Sequence, residues 1–302
     1  MINYSVIIPH FTKSHTRLLE RAVMSVPERN DIEVLVVDNS SKPIDKYLFI
    51  NRRNVKVLFS DNTKGAGHAR NVGVDISKGK WLLFLDADDF FTVKAFSIFD
   101  KYLKANSDII FFKMTSCYSD TLQPAKRHEN YANFIDNYFV DKDEYSLRFL
   151  FSVPWSKMIK SSHVRSYNIR FEEVPASNDV IFALKLGITA KSISADLSEV
   201  YCVTINKASI TKTTSLRNIE SQFDVRIRKN KLLKENGLKK DSSVMFLILK
   251  SRKYGFNFFV KLLIKAIISK NLFVGYNNWI KTTFKLWFSS NINDKRYESI
   301  EK

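Results

Sequence analysis

The chain has few cysteines and lacks any long apolar run. Its two cysteines, Cys117 and Cys202, follow neither a metal-binding spacing nor a disulfide framework, so we expect a reducing compartment. No stretch reaches the roughly 18–20 apolar residues that a membrane-spanning helix needs. The N-terminus carries no basic leader before Pro9, so we expect no secretory signal peptide and a cytoplasmic location.

Glycines are also scarce, and their spacing excludes one common kind of site. Only eight occur in 302 residues, and the pair Gly65 and Gly67 is followed by its next glycine six residues later. This spacing does not meet the Gly-x-Gly-x-x-Gly fingerprint of dinucleotide-binding proteins. No internal repeat or low-complexity tract is present, and the apolar content is sufficient for a folded core.

Positive charge is concentrated in the last third of the chain. Residues 201–302 hold 21 lysines and arginines against 7 acidic residues, whereas residues 1–200 hold 27 against 24. Residues 242–293 contain eight basic residues, eleven aromatic residues and no acidic residue. Basic amphipathic helices of this kind bind anionic membrane surfaces, and a packed helical subdomain or an oligomer contact has the same pattern. We therefore divide the chain into residues 1–217 and a basic, helical extension, residues 218–302.

The first 115 residues alternate between strand and helix patterns. This order predicts a Rossmann-like α/β fold, in which helices flank a mostly parallel sheet. Polar residues follow three of the strands, at Pro9-His10, Asp38-Asn39 and Asp86, and we expect them at one edge of the sheet. The predicted strands are 4–8, 32–37, 54–59, 81–85 and 108–114, and the predicted helices are 18–26, 65–74 and 92–105.

Three carboxylates follow the apolar strand 81–85 within four positions. Ligands bind at the carboxyl ends of strands in such sheets, and clustered carboxylates repel one another unless a cation lies between them. Oxygen ligands suit a hard divalent ion that also binds a phosphate-bearing ligand. We therefore predict that Asp88, together with Asp86, binds Mn²⁺ or Mg²⁺. Asp89 either joins this site or caps the next helix.

Five segments, in order, resemble glycosyltransferase family 2, whose members are inverting enzymes with the GT-A fold. The resemblance covers residues 3–215 and implies metal-dependent transfer of a sugar from a nucleoside-diphosphate sugar, by our prediction a UDP-sugar, to a glycan hydroxyl. The matching segments are Val6-Ile7-Ile8-Pro9, Val36 to Ser41, Gly65 to Gly73 with Ala69-Arg70-Asn71, Leu83 to Asp89 with its Asp-x-Asp motif, and Trp155-Ser156-Lys157 with Arg170-Phe171 and Asn178-Asp179-Val180.

The resemblance also assigns roles to single residues. Asp179 is the expected general base, which takes the proton of the acceptor hydroxyl. Two positions depart from the family pattern, because Asn39 and Asn178 stand where Asp and Glu are usual. Trp155 and Asn178 are expected on the acceptor side. The residues expected to bind the nucleotide sugar are Pro9, His10, Asp38, Asn39, Arg70 and Asp86.

A structural interpretation of several of these residues is open alongside the functional one. Asp38 can initiate an Asx turn, Arg70 can lie on the surface, Asp179 can cap a helix, and Trp155 can belong to the core. The polar segment 207–214 is predicted to be a loop in which Lys207 or Lys212 contacts the diphosphate.

Similar enzymes build bacterial capsule, O-antigen or exopolysaccharide, often on a polyprenyl-diphosphate carrier. We therefore expect a glycan or a polyprenyl-diphosphate-linked glycan as acceptor, and a peripheral position at the inner face of the cell membrane. Three other functions are open: a nucleotidyltransferase, an inactive sugar-nucleotide-binding protein and a basic nucleic-acid-binding protein. Acidic strand ends repel a phosphate backbone, so we expect no nucleic-acid partner. The donor sugar and the linkage are open.

Overall fold

The computed structural model describes residues 1–11, 16–205 and 215–274, and an eight-stranded sheet lies in its first part. The strands are β1 (Tyr4–His10), β2 (Ile32–Asp38), β3 (Val55–Phe59), β4 (Trp81–Phe84), β5 (Phe90–Phe91), β6 (Ile109–Tyr118), β7 (Lys157–Lys160) and β8 (Ile193–Ile205). The helices are α1 (Thr16–Met24), α2 (Gly65–Ile76), α3 (Ala95–Asp100), α4 (Glu129–Asp141), α5 (Ser161–Ser166), α6 (Val180–Thr189), α7 (Leu216–Glu235), α8 (Met245–Ser251) and α9 (Phe256–Ile268).

The sheet is mixed, with the order β3-β2-β1-β4-β7-β6-β8-β5. Its first four strands are parallel, as are β6 and β8, which confirms the predicted α/β fold. The short strand β7 lies antiparallel between β4 and β6, and β5 lies antiparallel to β8. The predicted helix 92–105 is shorter than expected, since only Ala95–Asp100 is α-helical.

The expected edge of polar residues is present at the carboxyl ends of β1, β2 and β4. His10 pairs with Asp38, and Ile7 pairs with Phe84 at the end of β4. Strand β1 extends through Pro9, which we had expected to end it. The Ile7 carbonyl points toward β4 and accepts from the Leu85 N–H. The backbone nitrogen of Pro9, two residues later, points to the same side, where the pairing with β4 has already ended. The missing N–H of proline therefore costs no ladder hydrogen bond.

The chain divides into two compact units, Met1–Thr213 and Thr214–Lys302. The first contains the sheet and a large apolar core, which includes Trp81, Phe84, Phe112 and Phe182. The second contains α7, α8 and α9, whose apolar side chains form a separate cluster around Phe223 and Leu262. The functional separation of residues 1–217 from 218–302 stays a prediction.

Two of the predicted basic or apolar segments fall outside the described residues. These are the loop with Lys207 and Lys212 and the last part of the extension, beyond residue 274. Within the three described ranges, no helix has the length and hydropathy that crossing a membrane requires.

Candidate active site

The turn after β4 presents its carboxylates in two different environments. The N–H of Asp89 donates to the Asp86 carbonyl at 3.0 Å and closes the turn. Asp86 and Asp88 are half-buried, whereas Asp89 is only 3% exposed. The first two carboxylates can therefore reach a ligand, and the third belongs to the protein interior.

Asp89 anchors this turn to β8 and does not cap a helix. Its carboxylate accepts hydrogen bonds from the Tyr201 hydroxyl at 2.8 Å and from the Thr204 N–H at 2.6 Å. Burial, reinforced by the charges of Asp88 and Asp86, raises the pKa of this carboxyl well above its usual value. Of the two roles predicted for Asp89, a metal ligand and a helix cap, the geometry supports neither.

Three residues that the sequence did not indicate hold the same turn. The N–H of Asp86 donates to the Tyr201 hydroxyl at 3.1 Å, so this one hydroxyl contacts both ends of the turn. The Asp88 carbonyl accepts from Arg21 at 2.7 Å and from the Thr204 hydroxyl at 2.8 Å. No local sequence pattern points to these residues, because they lie 67 to 116 positions from their partners.

Arg70 joins the turn after β4 to the residue that precedes Asp179. One guanidinium nitrogen donates to Asp86 at 2.6 Å, another donates to the Asn178 side-chain oxygen at 2.9 Å, and the group lies 5.5 Å from the centre of the Phe171 ring. Arg70 is 7% exposed, so it is not the surface arginine of the structural interpretation. Its predicted contact with the nucleotide sugar stays a prediction: two of its five N–H donors have protein acceptors, and its buried Nε has none.

The Ala-Arg-Asn segment shapes helix α2 for this contact. The Asn71 side chain donates to the Phe171 carbonyl at 3.0 Å and accepts from the Phe171 N–H at 2.9 Å, which fixes the segment beside Arg70. A Cβ atom at Gly67 would lie 2.1 Å from the Glu172 carbonyl oxygen, and one at Gly73 would lie 2.5 Å from a methyl group of Ile7. Glycine at these positions lets α2 approach both β1 and the chain around Phe171.

Asp179 stands at the first turn of α6, but its side chain makes no capping hydrogen bond. Burial raises the pKa of its carboxyl, and the nearby Arg70 opposes this effect without cancelling it. A raised pKa makes the ionised carboxylate a stronger base, which suits proton removal from a hydroxyl.

Trp155 belongs to the core and is a correction to the predicted acceptor site. It is 6% exposed, and its ring stacks on Tyr201 with centroids 5.2 Å apart and an interplanar angle of 14°. The face that a sugar would use is therefore covered. Trp155 instead supports Tyr201, which holds the turn after β4.

Lys157 is buried beside the same cluster. Its ammonium nitrogen donates to the carbonyls of Phe151 and Val153, at 2.7 Å each, and lies 4.5 Å from the Phe151 ring centre. Burial lowers its pKa to about 7, although the charge of Asp179 acts in the other direction. Ser156, between Trp155 and Lys157, has a φ of 56°, so the chain turns in the left-handed region to bury both neighbours.

The Asp38 carboxylate is held by hydrogen bonds within the protein, and its predicted contact with the nucleotide stays a prediction. Its carboxylate has no exposed surface and accepts hydrogen bonds from His10 at 3.0 Å, from the Ile44 N–H at 2.8 Å, and from both the N–H and the hydroxyl of Ser40. Burial opposes ionisation, but the hydrogen bonds from Ser40, Ile44 and His10 outweigh it and lower the pKa of Asp38. The Asx-turn interpretation of Asp38 is therefore the one that the geometry supports.

Unpaired polar atoms nevertheless remain at this edge of the sheet. Among the described residues, His10 Nε2 and the amide nitrogen and oxygen of the Asn39 side chain are buried without a hydrogen-bond partner. Buried polar groups are rarely left unpaired, so these atoms are available to a ligand. The nucleotide-binding roles of His10 and Asn39 stay predictions, as does that of Pro9.

The residues after β4 fit a metal ion that is held jointly with a phosphate ligand. In the described ranges, no three Asp, Glu, His or Cys side chains are close enough to hold a metal on their own. Of the two predicted ligands, Asp86 is paired with Arg70, and Asp88 is half-buried in the same turn. Mg²⁺ and similar ions commonly use one or two carboxylates and complete their coordination with substrate phosphates and water.

Comparison with known proteins agrees with the fold and with the predicted family. Residues 5–167 match the family model for "Glycosyl transferase family 2". The chain is 26% identical over 217 residues to the poly(ribitol-phosphate) beta-N-acetylglucosaminyltransferase TarS of Staphylococcus aureus, covering 67% of this chain and 35% of that protein. It is 27% identical over 220 residues to the S. aureus enzyme of the same activity named TarP, covering 68% and 64%.

A solved structure supports the fold independently. The crystal structure of S. aureus TarS residues 1–349 in complex with UDP-GlcNAc has a TM-score of 0.60 and 21% identity, covering 82% of this chain and 70% of that one. This likeness establishes a shared GT-A fold. The chain spans about a third of the length of the full TarS protein.

Proposed function

The chain belongs to glycosyl transferase family 2, and we propose that it transfers a sugar from a UDP-sugar to a hydroxyl group of a glycan, with inversion at the anomeric carbon. The observation that carries this proposal is the bridge from Asp86 through Arg70 to Asn178. It joins the carboxyl end of β4, where the donor is expected, to the residue beside Asp179. One arginine thus brings the donor side and the base into a single site.

Asp179 is the proposed general base. Its carboxylate takes the proton of the acceptor hydroxyl while that oxygen forms a bond to the anomeric carbon. The bond between the anomeric carbon and the β-phosphate oxygen breaks, and its electron pair leaves with UDP. The raised pKa of Asp179 supports this role, since a base is most effective when its pKa lies closer to the working pH.

Asp88, assisted by Asp86, is the proposed ligand of Mn²⁺ or Mg²⁺. A bound divalent ion would neutralise the negative charge that develops on the departing diphosphate. Arg21 and Thr204 donate to the backbone carbonyl of Asp88, which fixes the position of this residue in the turn. The proposed nucleotide contacts are His10 and Asn39, whose buried polar atoms lack protein partners.

The acceptor is proposed to be a bacterial surface glycan carried on a membrane lipid. The basic composition of residues 242–293 supports a position at the inner face of the cell membrane, where such an acceptor is found. The relatives named for poly(ribitol-phosphate) support a second acceptor, a polyol-phosphate chain, which would also be attracted by a basic protein. The two acceptors differ in whether the lipid is needed.

Release of UDP from a panel of UDP-sugars tests the reaction. We expect turnover with Mn²⁺, loss of turnover with EDTA, and at least a 100-fold loss in Asp179→Asn with UDP binding retained. Asp120→Asn, at an exposed position, is the matched control. Unchanged turnover in Asp179→Asn would remove Asp179 from the mechanism. Release of pyrophosphate from a nucleoside triphosphate would instead identify a nucleotidyltransferase.

A further inference from the structure

Helix α9 has two apolar faces. On one, Phe258, Leu262 and Ala266 are buried in the apolar cluster of the second unit. The opposite face is apolar as well, although it is open to solvent. We define the outer face of α9 by the large apolar residues exposed there: Phe256 (76% exposed), Ile264 (51%), Ile267 (55%) and Ile268 (76%).

The two lysines of α9, Lys261 and Lys265, form ion pairs with α7. Lys261 donates to Glu220 at 2.7 Å, and Lys265 donates to Asp224 at 2.6 Å, so both turn toward acidic residues of α7. Both lysines of α9 are therefore paired within the second unit. An apolar face left bare after the charges have been paired within the unit points to a partner that takes up apolar surface.

Basic residues flank the outer face in the sequence at both ends. Lys250, Arg252 and Lys253 precede α9, and Lys270 follows it. No acidic residue occurs in the sequence between positions 242 and 293, and the two lysines of α9 have their acidic partners on α7. The neighbouring helix α8 adds exposed Phe246 to the same segment. Bare apolar surface framed by basic residues is complementary to the interface of an anionic bilayer.

We propose that the outer face of α9 inserts into the interface of an anionic membrane, with the helix lying parallel to the surface. A helix of 13 residues is about 20 Å long, which suits this position and is too short to span the bilayer. The proposal deepens the membrane location given under the proposed function. Its specific content is that four apolar side chains, more than the lysines of α9, carry the binding.

Flotation of the full chain with vesicles tests this. The vesicles contain phosphatidylglycerol and phosphatidylcholine, or phosphatidylcholine alone. We expect binding to the anionic vesicles that weakens but persists in 0.5 M NaCl, because salt screens charge and leaves apolar insertion. The double variant Ile264→Ser/Ile268→Ser is expected to bind about 100-fold more weakly, about tenfold per isoleucine. Val140→Ser, which is 78% exposed on α4, is the control and should bind as wild type.

A probe at the face itself separates insertion from a general loss of affinity. Cys117 and Cys202 are buried, so a polarity-sensitive dye can be attached selectively at Ile267→Cys. We expect a blue shift and quenching by quencher-bearing lipids on addition of anionic vesicles. A dye at Ile267→Cys that does not respond, or flotation unchanged in the double variant, would refute the proposal.

Two further measurements identify other occupants and keep the catalytic proposal separate. Light scattering that shows a wild-type dimer, converted to a monomer by Ile264→Ser/Ile268→Ser, would assign the outer face to a second copy and overturn membrane insertion. UDP release in solution is expected to be unchanged in the double variant. Failure of vesicle binding with normal UDP release would therefore reject this proposal and leave the proposed reaction standing.

Discussion

Replacement of Arg70 tests the candidate site most directly, because its guanidinium group contacts Asp86 after β4 and Asn178 beside Asp179. Arg70→Met removes the charge and both donors while keeping a side chain of moderate length. Arg70→Lys keeps the charge but loses the planar fork that reaches Asp86 and Asn178 together. The pair of variants therefore separates the contribution of charge from that of geometry.

The size of the effect follows from the burial of the ion pair. Removing one partner of a fully buried pair costs about 3–5 kcal/mol. The Asp86 side chain is 31% exposed, so water replaces part of the lost interaction. We therefore expect Arg70→Met to lose about 2–3 kcal/mol of transition-state stabilisation, on the order of 100-fold in kcat/KM. Arg70→Lys is expected to lose about tenfold, the worth of roughly one charge-assisted hydrogen bond.

The pH dependence of kcat/KM reports on the base itself. The proposed base, Asp179, would act when it is ionised, so we expect activity to fall as the pH drops through its pKa. Burial raises this pKa and Arg70 lowers it. Arg70→Met should therefore move the acidic limb of the profile to higher pH, whereas Arg70→Lys should leave it close to that of wild type.

One outcome would refute this account. If Arg70→Met lowers kcat/KM but leaves the acidic limb in place, while Asp179→Asn abolishes turnover, then Arg70 does not act on the base. Its effect would then lie in the donor half alone. Thermal unfolding of each variant provides the control, since a shift of the limb in a protein of unchanged stability cannot come from partial unfolding.

Three more predictions concern the surroundings of the site. Thr204→Val removes one donor to the Asp88 carbonyl, so calorimetry should show UDP–Mn²⁺ binding weakened by about 1 kcal/mol. Thr204→Ser keeps the hydroxyl and should bind as wild type. Equal binding by the two variants would contradict this prediction. Gly67→Ala places a methyl group 2.1 Å from the Glu172 carbonyl and should lower the melting temperature by at least several degrees; an unchanged temperature would show that α2 does not need this approach. Lys157 has a pKa of about 7 in the folded protein, below its unfolded value, so the free energy of unfolding should rise between pH 7 and 9 by at most about 1.4 kcal/mol per pH unit. Lys157→Met should flatten this rise. An equally steep rise in the variant would assign the titration to another group.

The sequence predicted those parts of the fold that depend on local pattern. The apolar runs before Asp38 and Asp86 are buried strands, and the polar residues after them lie at one edge of the sheet. The position of β7 was not predictable in this way. A strand of four residues has too short a pattern to show which neighbours it will join, and β7 pairs with β4 and β6 in the opposite direction.

The roles within the site show the same division between local and distant information. Residue type indicated that Asp38, Arg70, Asp89 and Trp155 were unusual, but their partners determine what they do. Arg70 meets Asn178 across 108 positions, and Asp89 meets Tyr201 across 112. A side chain predicted to bind a ligand can therefore have its hydrogen bonds within the protein instead. Asp38 is an example, because His10 and the Ile44 N–H donate to its carboxylate.

The Asn at position 178 illustrates how a departure from a family motif can be compatible with the same chemistry. The usual Glu would place a second carboxylate on Arg70, which already binds Asp86. Asn178 offers Arg70 a neutral oxygen at 2.9 Å and adds no negative charge beside the base. More of the positive field of Arg70 is then available to Asp179, whose ionisation burial opposes. Asn178 therefore keeps the link from Asp86 through Arg70 to the neighbour of the proposed base, and it limits the rise in the pKa of Asp179.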